Sequence, residues 1–72
     1  MNQQIEQDFA RIFLTVSGKN VIKYLRSITL ERALGSGVTD AELRFLEGQR
    51  FLVRQIENLT ERGKQQKGES HE

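Results

Sequence analysis

The longest helix of this 72-residue chain begins in the stretch Val38-Thr39-Asp40-Ala41-Glu42-Leu43. In a capping box, the Thr39 hydroxyl accepts a hydrogen bond from the backbone N–H of Glu42, and the Glu42 carboxylate accepts one from the N–H of Thr39. Val38 and Leu43 stand where a hydrophobic staple would join the incoming chain to the helix. This pattern predicts a helix over residues 40–62, and it indicates architecture rather than chemistry.

Length and composition limit the class of protein. A domain of this size buries only roughly 60% of the surface of its unfolded chain, and the absence of cysteine excludes disulfides and thiolate metal sites. We therefore expect oligomerisation or a partner protein to add stability. Lysine and arginine number 11 against 10 aspartates and glutamates, and this net charge of +1 argues against a dedicated nucleic-acid-binding protein.

Membrane association is not expected from the hydropathy of the sequence. No apolar run approaches the ~18 residues that a transmembrane helix needs. Residues 1–4 lack the basic start and the apolar core of a signal peptide. The expected origin is therefore the cytosol, or assembly from the cytosol.

Glycines punctuate a chain that contains no proline. Gly18, Gly35 and Gly63 each follow a helical pattern, at the position where a left-handed glycine commonly ends a helix. Together with the capping box, they predict helices over residues 3–16, 19–34 and 40–62. Short loops favour antiparallel neighbours, so the expected fold is a small antiparallel all-α three-helix module over residues 1–62.

Residues 63–72 contain no apolar side chain and are expected to form a disordered, flexible polar tail. In the three helices, apolar residues recur at helical spacing and predict the core. The expected core residues are Ile5, Phe9, Ile12, Phe13, Val16, Val21, Ile22, Leu25, Ile28, Thr29, Phe45, Leu46, Leu52, Val53, Ile56 and Leu59.

Several residues depart from this pattern and are candidates for protein contact. Gly48 costs about 1 kcal/mol relative to alanine inside a helix and shares a face with Phe45, which predicts a close crossing by a helix of this chain or of a partner. Gln49 lies within the apolar arc, at the edge of the core or hydrogen-bonded across an interface. Phe51 projects from the polar side, as an interface anchor would. The predicted partner-binding residues are Leu14, Leu30, Gly48, Gln49, Arg50, Phe51 and Arg54.

A basic face on the second helix has two interpretations. Lys19, Lys23 and Arg26 share one side, where they could contact phosphate or an acidic protein surface. The alternative is an ordinary solvated face, which the lack of interleaved aromatic residues favours.

Catalytic equipment is not apparent in the sequence. The single histidine, His71, lies in the predicted tail, and the paired Glu57 and Glu61 are typical of a solvated helix face. The Gly35-Ser36-Gly37 loop lacks the lysine and the strand of a phosphate-binding loop. We therefore predict no enzymatic activity and no catalytic, cofactor-binding or metal site. A DNA-binding helix-turn-helix fits poorly, because the acidic first turn of the third helix would face phosphates.

Two segments together resemble a known protein family. The first runs from Asp8-Phe9-Ala10-Arg11-Ile12-Phe13 through Ser17-Gly18-Lys19 to Tyr24-Leu25-Arg26, and the second is Leu46-Glu47-Gly48-Gln49-Arg50 followed by Leu52-Val53 and Ile56. They resemble short helical proteins encoded in structural-gene clusters of tailed, chiefly short-tailed, bacteriophages and prophages. The resemblance spans roughly Asp8 to Arg62, with Gly48, Gln49 and Arg50 as its signature. It implies a non-enzymatic role in the virion or its assembly and carries no catalytic residue.

The resulting hypothesis is a phage or prophage protein that binds a larger virion or assembly component, in repeated copies. Its expected partner is such a component or a second copy of itself, and its expected location is the host cytoplasm during assembly or the virion. Two rivals stay open: a DNA-associated regulatory protein that uses Lys19, Lys23 and Arg26, and an inhibitor that plugs a host enzyme.

Overall fold

The computed structural model describes the backbone of residues 2–69 and the side chains of residues 2–66. Three helices account for nearly all of this part: α1 (Gln3–Phe13), α2 (Val16–Ser27) and α3 (Asp40–Glu69). The described residues contain no strand, so the predicted all-α three-helix module is confirmed. The end of the predicted polar tail, residues 70–72, lies outside the described residues.

Side chains cap the starts of α1 and α3. The Asn2 side chain accepts a hydrogen bond from the N–H of Gln4 at 2.8 Å. At α3 the predicted capping box is present, because the Glu42 N–H donates to the Thr39 hydroxyl at 3.1 Å and the Thr39 N–H donates to the Glu42 carboxylate at 3.0 Å. These local bonds satisfy backbone donors that the first turn of a helix leaves free.

The break between α1 and α2 comes earlier than the sequence pattern predicts. Thr15 caps α2: its hydroxyl donates to the carbonyl of Ile12 at 2.8 Å and accepts from the N–H of Gly18 at 2.9 Å. Gly18 therefore lies in the first turn of α2 instead of ending α1. It is buried, and a Cβ atom at this position would collide with the backbone of Ile12 and Phe13.

Helix α2 ends at Ser27, seven residues before the predicted end at Leu34. The Thr29 hydroxyl donates to the Leu25 carbonyl at 2.6 Å, and the Glu31 N–H reaches back to the Arg26 carbonyl at 2.9 Å. Further stabilisation of this turn comes from Arg50 of α3, whose guanidinium donates to the carbonyls of Thr29 and Arg32. The end of α2 is thus set partly by a side chain far away in sequence.

Helix α3 continues through Gly63 to Glu69, beyond the predicted end at Arg62. None of the described glycines has a positive φ angle, so the expected left-handed helix ends at Gly18, Gly35 and Gly63 are wrong. Gly63 has another role, because a Cβ atom there would strike the backbone carbonyl of Glu6 and lie 2.7 Å from the Cβ of Ala10. The missing side chain lets α1 and α3 approach closely.

Both shorter helices run antiparallel to α3. Glu6 of α1 lies beside Gly63, whereas Phe13 at the other end of α1 shares a groove with Glu57 and Thr60. Along α2, Arg26 pairs with Glu57, and Thr29 just beyond the helix contacts Arg50. Helix α1 makes the more extensive contact with α3, and it covers the C-terminal half of that helix.

The core is small and differs in part from the predicted one. Ala10, Leu46, Val53 and Leu59 are its buried apolar residues, and Phe9, Phe13, Ile22, Leu25 and Ile56 are partly covered. The expected burial of seven other residues is wrong, and these residues are exposed. The close approach at Gly63 turns Glu6 and Ala10 of α1 toward α3, so larger apolar side chains of α1 are left outside the contact. The exposed members of the predicted core are Ile5, Ile12, Val16, Val21, Ile28, Phe45 and Leu52.

Candidate protein interaction surfaces

An apolar stripe runs along α3 with alternating steps of four and three residues, the spacing that keeps side chains on one helix face. Its members are Phe45, Gln49, Leu52, Ile56, Leu59, Gly63 and Gln66. From Ile56 onward the stripe is buried or half-buried beneath α1. Phe45, Gln49 and Leu52 are exposed, since α1 ends at Phe13, near Glu57 and Thr60 of α3. The stripe is therefore covered over its C-terminal half only.

We call the uncovered region of α3 the free face, and define it by Phe45, Gly48, Phe51 and Leu52. The three large side chains are 71%, 65% and 60% exposed. Gly48 lies between them on the helix surface. Apart from the adjacent residues and the backbone of α3 itself, no atom lies within 4 Å of the place where its Cβ would be. The predicted close crossing at Gly48 is therefore not made by a helix of this chain, which leaves the partner alternative.

A second group of exposed apolar side chains lies on α1 and α2. We call it the outer row. Ile5 and Ile12 lie seven residues apart in α1, and Val21, Tyr24 and Ile28 follow one another at steps of three and four along α2, so that each set lies on one side of its helix. Val16, the first residue of α2, lies four residues after Ile12, across the break between the two helices. Val16 is 78% exposed and Ile12 58%. Several large apolar side chains left this exposed on a small protein are typical of protein contact sites. The outer row comprises Ile5, Ile12, Val16, Val21, Tyr24 and Ile28.

The other predicted contact residues have different surroundings. Arg50 is half-buried, and its guanidinium binds Thr29, Arg32 and Glu47 within the chain. Arg54 is exposed. Arg50 thus has a clear structural role, whereas Arg54 is accessible to a partner.

Leu14 and Leu30 occupy the two places where the chain leaves a short helix. Leu14 follows α1 and is 37% exposed, and Leu30 lies in the turn after α2 and is half-buried. Neither belongs to the free face. Each follows a member of the outer row by two residues in the sequence, Ile12 and Ile28 respectively, and both stay candidates for contact.

The basic face of α2 is divided by an ion pair. The guanidinium of Arg26 donates to both oxygens of Glu57, at 2.9 and 2.7 Å, and lies 3.5 Å from Glu31. Hydrogen bonding to Glu57 raises the pKa of Arg26 above its ordinary value. Lys19 and Lys23 are exposed, with Lys19 beside the acidic side of α3. Arg26, one of the three cationic residues predicted to contact phosphate, is thus already paired with carboxylates of this chain.

A groove of about 170 Å³ lies where the three helices meet, and Lys19, Ile22 and Glu61 contribute to its walls. This volume is below the roughly 300–1,000 Å³ of ordinary small-molecule pockets. Within the part of the chain that the structure describes, no group of three or more acidic, histidine or cysteine side chains is placed to hold a metal ion. The single histidine, His71, lies outside the described residues.

One polar cluster was missed by the sequence analysis. Glu6 is buried in the α1–α3 contact, where the Gln66 amide donates to its carboxylate and the Arg62 guanidinium lies 3.9 Å away. The position of Glu6 in the first turn of α1 gives no sign of burial, because a glutamate there ordinarily stays in solvent and interacts favourably with the positive end of the helix dipole. The polar ends of these three side chains help fix how α1 lies on α3.

Comparison with known proteins identifies the family. A family model described as Bbp19-like phage protein matches residues 9–67, which is most of the chain. No curated protein and no solved structure showed a significant match. Among the described residues, no helix has the length and apolar character needed to cross a membrane. The resemblance to phage proteins is confirmed, and the chain belongs to the Bbp19-like phage protein family.

Proposed function

We propose that this protein is a non-enzymatic binding component of a phage particle or of its assembly, carried in several copies on a larger particle protein. Membership of a phage protein family supports a role in phage biology. The observation that carries the proposal is the amount of large apolar surface left uncovered on all three helices. Such surface is costly in water and is typical of proteins that work against a partner.

The outer row is the surface that we assign to the larger component. Its side chains extend across both α1 and α2, so a partner that covers it would hold the two helices together at the Thr15 break. Ile12 and Val21 lie on either side of that break and are 58% and 48% exposed. A contact built from branched aliphatic side chains is modest for each copy, and repetition around a symmetric particle multiplies it.

The amount of this protein in purified phage particles tests the proposal. Particles are isolated on density gradients from cells that produce the phage with a tagged copy of the chain, and the tagged protein per particle is measured. We expect a fixed copy number for the wild-type chain. The Ile12→Ser and Val21→Ser variants should each reduce that number at least about fivefold, because a lost anchor of this kind costs more than about 1 kcal/mol.

Asn20→Ser is the matched control, since it changes an exposed polar side chain of α2 outside the outer row. Circular dichroism of each purified variant checks that the helices are retained. Absence of the wild-type chain from particles and from assembly intermediates would contradict the proposal. In that case a salt-sensitive shift of DNA in gels, or capture of one host enzyme from lysate, would support a regulatory or an inhibitory role.

A further inference from the structure

The free face has the geometry of a helix-docking surface. At the other end of the same stripe, α1 crosses α3 at Gly63, where the missing side chain admits the backbone of Glu6. Gly48 stands about four helical turns earlier with open space above it. Helix α3 thus has two glycines next to apolar residues, Gly63 within the stripe and Gly48 beside it, and this chain packs a helix against Gly63 only.

We propose that the free face binds the free face of a second copy of this chain, with the two α3 helices antiparallel and crossing at Gly48. This inference does not depend on the role in the particle. It follows from continuity with the α1–α3 contact and from the symmetry of the residues around Gly48. Dimers with two-fold symmetry are the commonest oligomers, and they need a surface that matches itself.

Self-complementarity can be checked along the helix. A two-fold axis at Gly48 places Phe45 of one copy against Leu52 of the second copy, since these residues lie three before and four after the axis on the same side. On the other side, it places Arg44 of one copy near Phe51 of the second copy. The first pair buries two exposed apolar side chains, and the second brings a guanidinium to the face of an aromatic ring.

Charge and shape favour a second copy of the chain as the partner of the free face. The net charge of +1 means that two copies repel each other very little. Gln49 is exposed at the rim of the free face, where its amide can hydrogen-bond with the equivalent amide of the second copy. Gly48 has no Cβ to separate the two backbones at the crossing point.

Sedimentation of the purified full chain, with no phage component present, tests the dimer. We expect the wild-type chain to sediment at twice its mass of 8.3 kDa. The Gly48→Glu variant should fold normally, because glutamate favours a helix more than glycine does and nothing in the chain occupies the space. Its two carboxylates would meet at the axis, and the dimer dissociation constant should rise at least about tenfold.

Leu43→Ala is the matched control, since it removes a 42% exposed side chain on the opposite side of the same part of α3. The control should leave the dissociation constant unchanged. A wild-type chain that stays monomeric up to about 1 mM would overturn the proposal. So would a Gly48→Glu variant that remains folded and dimerises as strongly as the wild type.

Disulfide trapping tests the antiparallel arrangement, and the absence of native cysteine keeps the background clean. Oxidation should link copies of the Gly48→Cys variant, because the two positions meet at the axis within the reach of a disulfide. The Phe45→Cys variant should not be linked, whereas the Phe45→Cys/Leu52→Cys double variant should be. Efficient linkage of Phe45→Cys on its own would indicate parallel helices and overturn the arrangement.

Discussion

The two halves of α3 carry the same apolar stripe, but only one half is covered within the chain. In the C-terminal half, Gly63 is enclosed by the backbone of Glu6 and the side chain of Ala10. In the N-terminal half, Gly48 faces open space between exposed aromatic side chains. A glycine inside a helix therefore does not by itself show that another helix packs there. Gly63 is in close contact with α1, whereas Gly48 has no neighbour within this chain.

The largest effect should come from adding a methyl group to the covered glycine. Gly63→Ala would place a Cβ against the Glu6 carbonyl, and α1 would have to move away from α3. Such overpacking costs typically about 1–3 kcal/mol, and a collision with a backbone oxygen belongs to the upper part of that range, above the gain of about 1 kcal/mol in helix propensity. We expect a lower free energy of unfolding, measured by chemical denaturation. An unchanged or raised value would show that α1 does not pack closely at Gly63.

A smaller effect of opposite sign is expected at the uncovered glycine. Gly48→Ala adds a methyl group that meets nothing in the chain, so the free energy of unfolding should rise by about 0.5–1 kcal/mol from helix propensity. Denaturation at high dilution, where the protein is monomeric, measures this helix-propensity contribution to the free energy of unfolding without any contribution from a dimer. A destabilised Gly48→Ala monomer would mean that this half of α3 is covered after all, and the contrast between the halves would disappear.

The smallest effect concerns the capping box that begins the uncovered half. Hydrogen bonds from the backbone and the hydroxyl of Thr39 lower the pKa of Glu42 below its ordinary value. The stabilisation from its carboxylate is therefore present above the unfolded pKa and is lost as pH falls through the folded one. The melting temperature of the wild type should exceed that of Glu42→Gln at pH 7, and the gap should close as the solution is acidified below about pH 4.

Glu61→Gln is a suitable control for this measurement, because Glu61 is an exposed carboxylate far from any helix start. Its effect on the melting temperature should not follow the pH dependence seen for Glu42→Gln. If the difference between wild type and Glu42→Gln were the same at all pH values, the carboxylate would not be the group that stabilises the start of α3.

Much of the local structure was predictable from the sequence. The capping box at Thr39 and Glu42 places the start of α3 correctly, because each bond joins residues only three apart. The exposure of Phe51 followed from its position on the polar side of α3, outside the apolar stripe. The ends of α1 and α2 were less predictable: Thr15 lacks the glutamate of a full capping box, and α2 ends in a turn held by Arg50.

The sequence by itself determined that this chain forms three helices with apolar stripes, since capping and helical periodicity act over a few residues. Only the tertiary structure decided which part of each stripe is covered. That outcome depends on the fit of Glu6 and Ala10 against Gly63, more than fifty residues away along the chain. The same fit buries a glutamate. Phe45 and Leu52 stay exposed because α1 ends at Phe13 and α2 continues beside Arg50 and Glu57, on another side of α3.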